Sequence, residues 1–366
     1  MTRFVRFSCA ALVGLTAIVC ANPQSRACTG IRLEAKDGSF VHARTMEFGA
    51  PLDSKLIIIP RSFSLSGTTS SGRPGLTWKS TYGVVGMNAY NKTAILDGVN
   101  EKGLAGGIFY MPGYAEYQAV NADNESQSLA PWEVLTWVLT SFATVEEAKA
   151  ALNEIKVGNV AYEKQGVLPL HFIVHDTKGK SIVIEYIGGK LNLHDDPIGV
   201  ITNAPDFEWH IKNLNNYVNL SADNAAPENL DGLKLRQFGQ GSGLVGIPGD
   251  FTPPSRFVKA AILSQSALSG ENGQQAVQQA FHVLDSFDIP EGAVRDVEGG
   301  NTTYELTQWT TASDLTDRVF YFHTHNNRRI RRFDLLKTNL DGPEVVTFSI
   351  EDREDFEDFT PPVNND

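Results

Sequence analysis

Ser25-Arg26-Ala27-Cys28-Thr29-Gly30-Ile31-Arg32-Leu33 is the stretch on which the reading of the whole chain turns. Ser25 and Ala27 place small residues three and one positions ahead of Cys28, the pattern that a signal peptidase cuts. Upstream, Arg3 and Arg6 precede an apolar run from about Ala10 to Cys20 and then a polar stretch, so residues 1–27 read as a secretory signal peptide. The run is too short for a spanning helix, which needs about 20 residues. A cut between Ala27 and Cys28 leaves cysteine first and sets a thiol and a free α-amine on one residue, a nucleophile with its own base. The competing cut after Ala21 leaves Asn22 first. A non-enzymatic alternative makes Cys20 or Cys28 the acylated anchor of an exported lipoprotein. Val19 before Cys20, and the polar residues between the apolar run and Cys28, argue against it, and no membrane anchor is expected.

The chain holds three cysteines, Cys9, Cys20 and Cys28, and loss of residues 1–27 removes two of them. The remaining thiol has no partner for an internal disulfide even in an oxidising compartment, and a lone cysteine at a new N-terminus reads as reactive. Loss of Arg3, Arg6 and Arg26 takes the formal net charge from −12 to −15 over the 339 residues that remain. So acidic a chain repels nucleic acid and anionic membranes. The expected product is an exported protein, periplasmic or secreted.

Working outward from Cys28, residues 29–36 read as a strand, Asp37-Gly38 as a tight turn and 39–48 as the returning strand. Arg44 and Glu47 then lie on the strand paired with the one that Cys28 opens. Short strands are expected at 55–59, 82–87 and 93–97, a loop at 62–76, and a turn at Asn100-Glu101-Lys102-Gly103 before a glycine-rich strand ending at Tyr110. After a polar loop over 112–128, Pro131 opens a helix with apolar residues at helical spacing, and Thr144-Val145-Glu146-Glu147 is a capping box for a second. A hairpin is expected around Lys178-Gly179, strands at 191–193 and 198–202, a mixed insertion over 206–241, helices at 254–267 and 273–287, and strands at 304–311, 319–325, 330–334 and 345–348. Strands and helices come in blocks rather than in single alternation. That pattern favours an α+β protein of two mainly antiparallel sheets flanked by helix pairs over a Rossmann-type sheet. One domain is expected over 28–350, followed by an acidic tail over 351–366.

Two patterns invite other chemistry. Gly241-Ser242-Gly243-Leu244-Val245-Gly246 spells a dinucleotide fingerprint, but the proline-containing run after it cannot open the required helix. His323 and His325 share a strand face without a nearby carboxylate or cysteine cluster to complete a ligand set. No metal and no cofactor are expected.

Cys28-Thr29-Gly30 followed by Ala43-Arg44-Thr45-Met46-Glu47 resembles the opening of the choloylglycine hydrolase family, the penicillin V acylases and bile salt hydrolases among the N-terminal-nucleophile (Ntn) hydrolases. Asn100-Glu101-Lys102-Gly103-Leu104, Thr202-Asn203-Ala204-Pro205, Pro248-Gly249-Asp250-Phe251-Thr252 and Ser255-Arg256-Phe257 match further family stretches in order. The resemblance implies a four-layer αββα sandwich, commonly a homotetramer, that hydrolyses linear amides, and with it a bacterial source and a small-molecule N-acyl amide as partner. It implies Cys28 as nucleophile with its α-amine as base, Arg44 as stabiliser of the thiolate, and Asn203 as donor to the oxyanion. Arg256 completes the polar site. Glu47 stands where many members carry aspartate, and would hold the Cys28 ammonium from one methylene further out. Tyr110 falls where bile salt hydrolases often carry asparagine and penicillin V acylases tyrosine. Its flat apolar face favours a penicillin V acylase-like specificity, with N-acyl-homoserine lactones as plausible natural substrates and bile salt hydrolysis as the alternative.

Overall fold

The computed structural model describes residues 27–298, 300–351 and 353–361. The signal peptide expected over 1–27 therefore lies outside the described residues save for Ala27, and the tail expected over 351–366 is described only in part. Two antiparallel sheets face one another. The first has five strands, in the order Thr29–Glu34, Phe40–Glu47, Thr307–Asp314, Val319–Thr324 and Arg331–Asp334. The second has eight, in the order Lys190–Asp195, Ser181–Ile187, Leu170–His175, Ala105–Tyr110, Asp97–Asn100, Val84–Met87, Lys55–Ile59 and Val346–Ser349.

The four layers follow from period-two alternation along the strands. In the eight-stranded sheet, Ile57, Ile59, Ile108, Phe172, Val174, Ile182 and Ile184 belong to the core under the helices Val134–Ser141 and Val145–Leu152. Their sequence neighbours Leu56, Ile58, Phe109, Ile173 and Val183 turn the other way, into the core shared with the five-stranded sheet. The outer face of that sheet is covered by Pro253–Ser266 and Gly273–Leu284, the latter presenting Ala276, Val277, Ala280, Phe281 and Leu284. The arrangement is an αββα sandwich, as the family resemblance implied, and its two antiparallel sheets are those that the blockwise order of elements favoured.

Local signals held where the chemistry is local. The Thr144 side chain accepts from the Glu147 N–H, and Gly103 closes the turn after Asn100 with φ 83°. Long-range pairing moved other bounds. The strand expected at 304–311 breaks at Leu306: Asn301–Glu305 pairs with Val294–Glu298, while Thr307–Asp314 joins the five-stranded sheet. The strand expected at 198–202 reduces to an isolated bridge between Gly30 and Ile201, and the strand expected at 93–97 is Asp97–Asn100. The loop expected at 62–76 contains a strand, Ser64–Ser66, paired with Thr77–Lys79. Gly241-Ser242-Gly243-Leu244-Val245-Gly246 forms a short turn of helix at Ser242–Leu244, not a strand-to-helix junction.

Candidate active site

The first hairpin pairs Thr29 with Thr45 and Gly30 with Arg44, which brings Cys28 beside Met46 and Glu47. Cys28 Sγ lies 3.8 Å from Met46 Sδ and 4.0 Å from the Glu47 carbonyl oxygen. On its other side the backbone of Gly30 exchanges hydrogen bonds of 2.8 and 3.1 Å with Ile201. A Cβ at Gly30 would stand 2.7 Å from Phe109 Cζ and 2.9 Å from Ile201 Cγ2, so glycine permits this close approach. The approach in turn delivers Asn203 to Cys28.

Asn203 and Arg256 form the web around the cysteine. With Ala27 attached, the Cys28 nitrogen is a peptide N–H, and it donates to Asn203 Oδ1 at 2.8 Å. Arg256 donates from Nη2 to the same Oδ1 at 2.6 Å, which fixes the amide orientation, because a guanidinium has only donors. Arg256 also reaches the Cys28 carbonyl, Thr29 Oγ1 at 3.0 Å and the Phe251 carbonyl at 2.8 Å. Asp250 makes no ion pair with Arg256 among the described residues and instead accepts from Thr252 and Ser255 at the helix start. Asn203 Nδ2 donates to the Tyr110 carbonyl at 2.8 Å, which uses one of its two N–H groups.

Glu47 is fully buried. Oε1 accepts from Thr307 Oγ1 at 2.9 Å, while Oε2 has no partner among the described residues. Burial pushes its carboxyl up to about 8, against the pull of Arg256. Burial likewise raises the Cys28 thiol, opposed first by Arg44. Arg44 stands one layer back. Its guanidinium donates to the Ile108 carbonyl at 2.6 Å and the Thr45 carbonyl at 3.1 Å, and lies 4.3 Å from the centre of the Phe109 ring.

Cys28, Glu47 and Tyr110 line one cleft of about 690 Å³, counting the space at its mouth. Its walls are largely apolar and aromatic, and include Tyr90, Trp132 and Tyr162. No histidine lines it. His210, whose Nε2 meets the Asn203 carbonyl at 2.9 Å, stacks on Phe257, and His42 pairs with Asp97 between the sheets. The structure thus gathers Cys28, Glu47, Asn203 and Arg256 directly, with Arg44 behind and Tyr110 in the wall. Sequence reasoning passed over Thr29, which stood beside Cys28 in plain view, and Thr307, whose link to Glu47 spans 260 positions and leaves no local signal.

Fold and site define an Ntn-type amidohydrolase. The family model for linear amide C–N hydrolases of the choloylglycine hydrolase family matches residues 28–348, and the chain belongs to that family. It is 36% identical over 326 residues to the bile salt hydrolase/transferase of Clostridium perfringens, covering 88% of this chain and 96% of the relative. It is 28% identical to the penicillin V acylase of Pectobacterium atrosepticum, covering 90% and 86%. A mutant of the conjugated bile acid hydrolase from Clostridium perfringens superposes with a TM-score of 0.81 at 33% identity, covering 91% of this chain and all of that one. The protein is accordingly an enzyme acting on linear amides.

Proposed function

We propose that the exported, mature chain begins at Cys28 and deacylates N-acyl amides with the thiol as nucleophile and the α-amine as base. The observation that carries this is the placement of one buried cysteine at the start of the first strand, on the wall of an apolar cleft and inside a charged, hydrogen-bonded web. Its burial also speaks against a lipid anchor at Cys28. Freed from Ala27, the nitrogen becomes an amine whose lone pair is basic and takes the thiol proton. Sγ attacks the carbonyl, the remaining N–H of Asn203 stabilises the oxyanion, and the ammonium returns its proton to the leaving amine. Water, deprotonated by the same amine, then hydrolyses the thioester and restores Cys28. In this reading the buried Glu47 carboxyl, whose Oε2 has no partner among the described residues, accepts from the ammonium between steps, as a carboxylate once the adjacent positive charge draws off its proton.

The aromatic wall formed by Tyr110, Tyr90, Trp132 and Tyr162 suits an aromatic or straight acyl chain, as in a penicillin V acylase, and N-acyl-homoserine lactones carry the same amide. Bile salt hydrolysis is the second reading, favoured by the 36% identity to the bile salt hydrolase/transferase. Release of phenoxyacetate from penicillin V, against release of glycine from a glycine-conjugated bile acid, separates the two. The first is expected to have the larger kcat/KM. Tyr110→Asn is expected to move the ratio towards the bile acid roughly 10- to 200-fold, the worth of about 1–3 kcal/mol of contact. A uniform fall for both substrates removes Tyr110 from acyl choice.

The hairpin Glu228–Leu230 with Leu233–Leu235 is exposed throughout and shows Leu230, Leu233 and Leu235 to solvent, with Phe238 fully exposed just beyond it. Such an unpartnered apolar arm supports assembly into a homotetramer. Leu230→Lys together with Leu233→Lys is expected to lower the mass measured by light scattering towards the monomer. A monomeric parent protein refutes the assembly.

A further inference from the structure

The cleft holds a second polar feature away from the cysteine. Tyr162 lines it and is 7% exposed, and its hydroxyl is buried with no hydrogen-bond partner among the described residues. Tyr117 shows the usual treatment of a buried phenol in this fold. Its hydroxyl donates to the Leu168 carbonyl at 2.6 Å and accepts from the Leu170 N–H at 2.7 Å. Tyr186 also buries an unpartnered hydroxyl, but it packs in the core under the helices and lines no part of the cleft. Tyr162 therefore combines a buried, unsatisfied donor with a place in the cleft wall. A buried polar group left unpaired is destabilising, and such exceptions gather at sites where a ligand completes them.

The ring is held rather than loose. Trp132 meets it edge-on with centroids 5.0 Å apart, and Tyr90 lies 5.9 Å away at a tilt. Lys92 Nζ stands 5.8 Å from the ring centre and pairs with Glu163 at 3.3 Å, so the loops on either side are tied together beside it. Glu163 follows Tyr162 in the left-handed region with φ 50°, a conformation that non-glycine residues hold only when their surroundings impose it.

We propose that Tyr162 forms a hydrogen-bonding subsite in the apolar cleft and selects acyl chains bearing an oxygen acceptor, an ether, keto or hydroxyl oxygen, at one fixed distance from the amide. A phenol is a donor at neutral pH, and in apolar surroundings its bond to such an oxygen is worth most at the position that the ring dictates. This rests on the reading of the cleft as the acyl site and adds to it a positional preference that an apolar wall alone does not give.

Binding of free carboxylic acids to the intact enzyme tests the subsite without turnover. The probes are a medium-chain fatty acid and isomers in which one methylene, at successive positions, is replaced by an ether oxygen. The isomers share one desolvation term, so differences among them report where the oxygen finds a donor. The best-placed isomer is expected to bind roughly 5- to 100-fold more tightly than the worst-placed. Tyr162→Phe is expected to flatten that profile to within about twofold. A flat profile in the parent protein, no binding by any isomer, or a profile that survives Tyr162→Phe overturns the proposal. A merely structural role for Tyr162 would weaken all isomers equally and keep their order. Hydrolysis of the matching amides, read separately and abolished by Cys28→Ala, reports on the cysteine mechanism, so the two ideas fail independently.

Discussion

One extra residue held in front of Cys28 is expected to lower kcat by about 10²–10⁴, the usual worth of base assistance, while fold, cleft and assembly persist. The structure gives the reason to expect persistence. Ala27 is attached and 3% exposed, yet Asn203, Arg256 and Glu47 are all in place around Cys28. What the attached residue changes is chemical. The Cys28 nitrogen is an amide whose N–H donates to Asn203 Oδ1, and an amide lone pair takes no proton near neutral pH. Meanwhile burial holds the thiol above its ordinary value, so without a base the thiolate is scarce. The measurement is kcat on protein whose retained extra residue is confirmed by intact mass, beside protein that begins at Cys28. Turnover of the extended form within a few-fold of the mature form would place the base elsewhere. A scan of His42, His171, His175 and His210 would then follow, although none of them lines the cleft.

How much of this site could be read from the sequence depended on distance along the chain. The hairpin of Cys28, Arg44 and Glu47 was legible because Asp37-Gly38 dictates a tight turn and the pairing register then follows. Asn203 and Arg256 were legible only through family-like motifs, since 175 and 228 positions separate them from Cys28. Even then the expected donor role of Asn203 told half of its geometry. Its oxygen, not its nitrogen, faces Cys28, because Arg256 Nη2 can only donate and so claims the acceptor side. The break at Leu306 was invisible for the same reason. A continuous β-favouring run carries no mark of the point at which it leaves one partner strand for another, and Thr307 is assigned by Glu47 across the sheet rather than by its neighbours. Tyr162 sat in a stretch with no periodic signal, and only the cleft gives its hydroxyl meaning.

Arg256→Met is expected to be the most damaging substitution outside Cys28 itself. Arg256 is 2% exposed, and its guanidinium ties three separate segments: the Cys28-Thr29 strand start, the Asn203 turn and the Phe251 loop. Methionine keeps much of the volume and removes every donor. The Cys28 carbonyl, Asn203 Oδ1 and the Phe251 carbonyl all lose a buried partner. Breaking a buried charged network in this way costs about 3–5 kcal/mol, and lysine cannot restore the planar fork. Catalysis suffers with stability, because Asn203 loses the contact that fixes its orientation. Loss of one oxyanion-site donor alone is worth about 10²–10³ in kcat. The pH dependence gives the diagnostic. Glu47 keeps its proton up to about 8 in the folded state, above the ordinary carboxylate range. The unfolded chain has by then released it, so this group's contribution to stability is full in acid and is lost as pH rises through about 8. Arg256 moderates that loss by pulling the Glu47 carboxyl down. Without it the loss extends to higher pH, and the difference in Tm between Arg256→Met and the parent is expected to widen from pH 5 to pH 9. Thiol alkylation should slow in the same variant, because Arg256 also favours the Cys28 thiolate. A Tm difference that stays constant across that range, with an unchanged alkylation profile, would show that Arg256 binds its three segments together without acting on either Glu47 or Cys28.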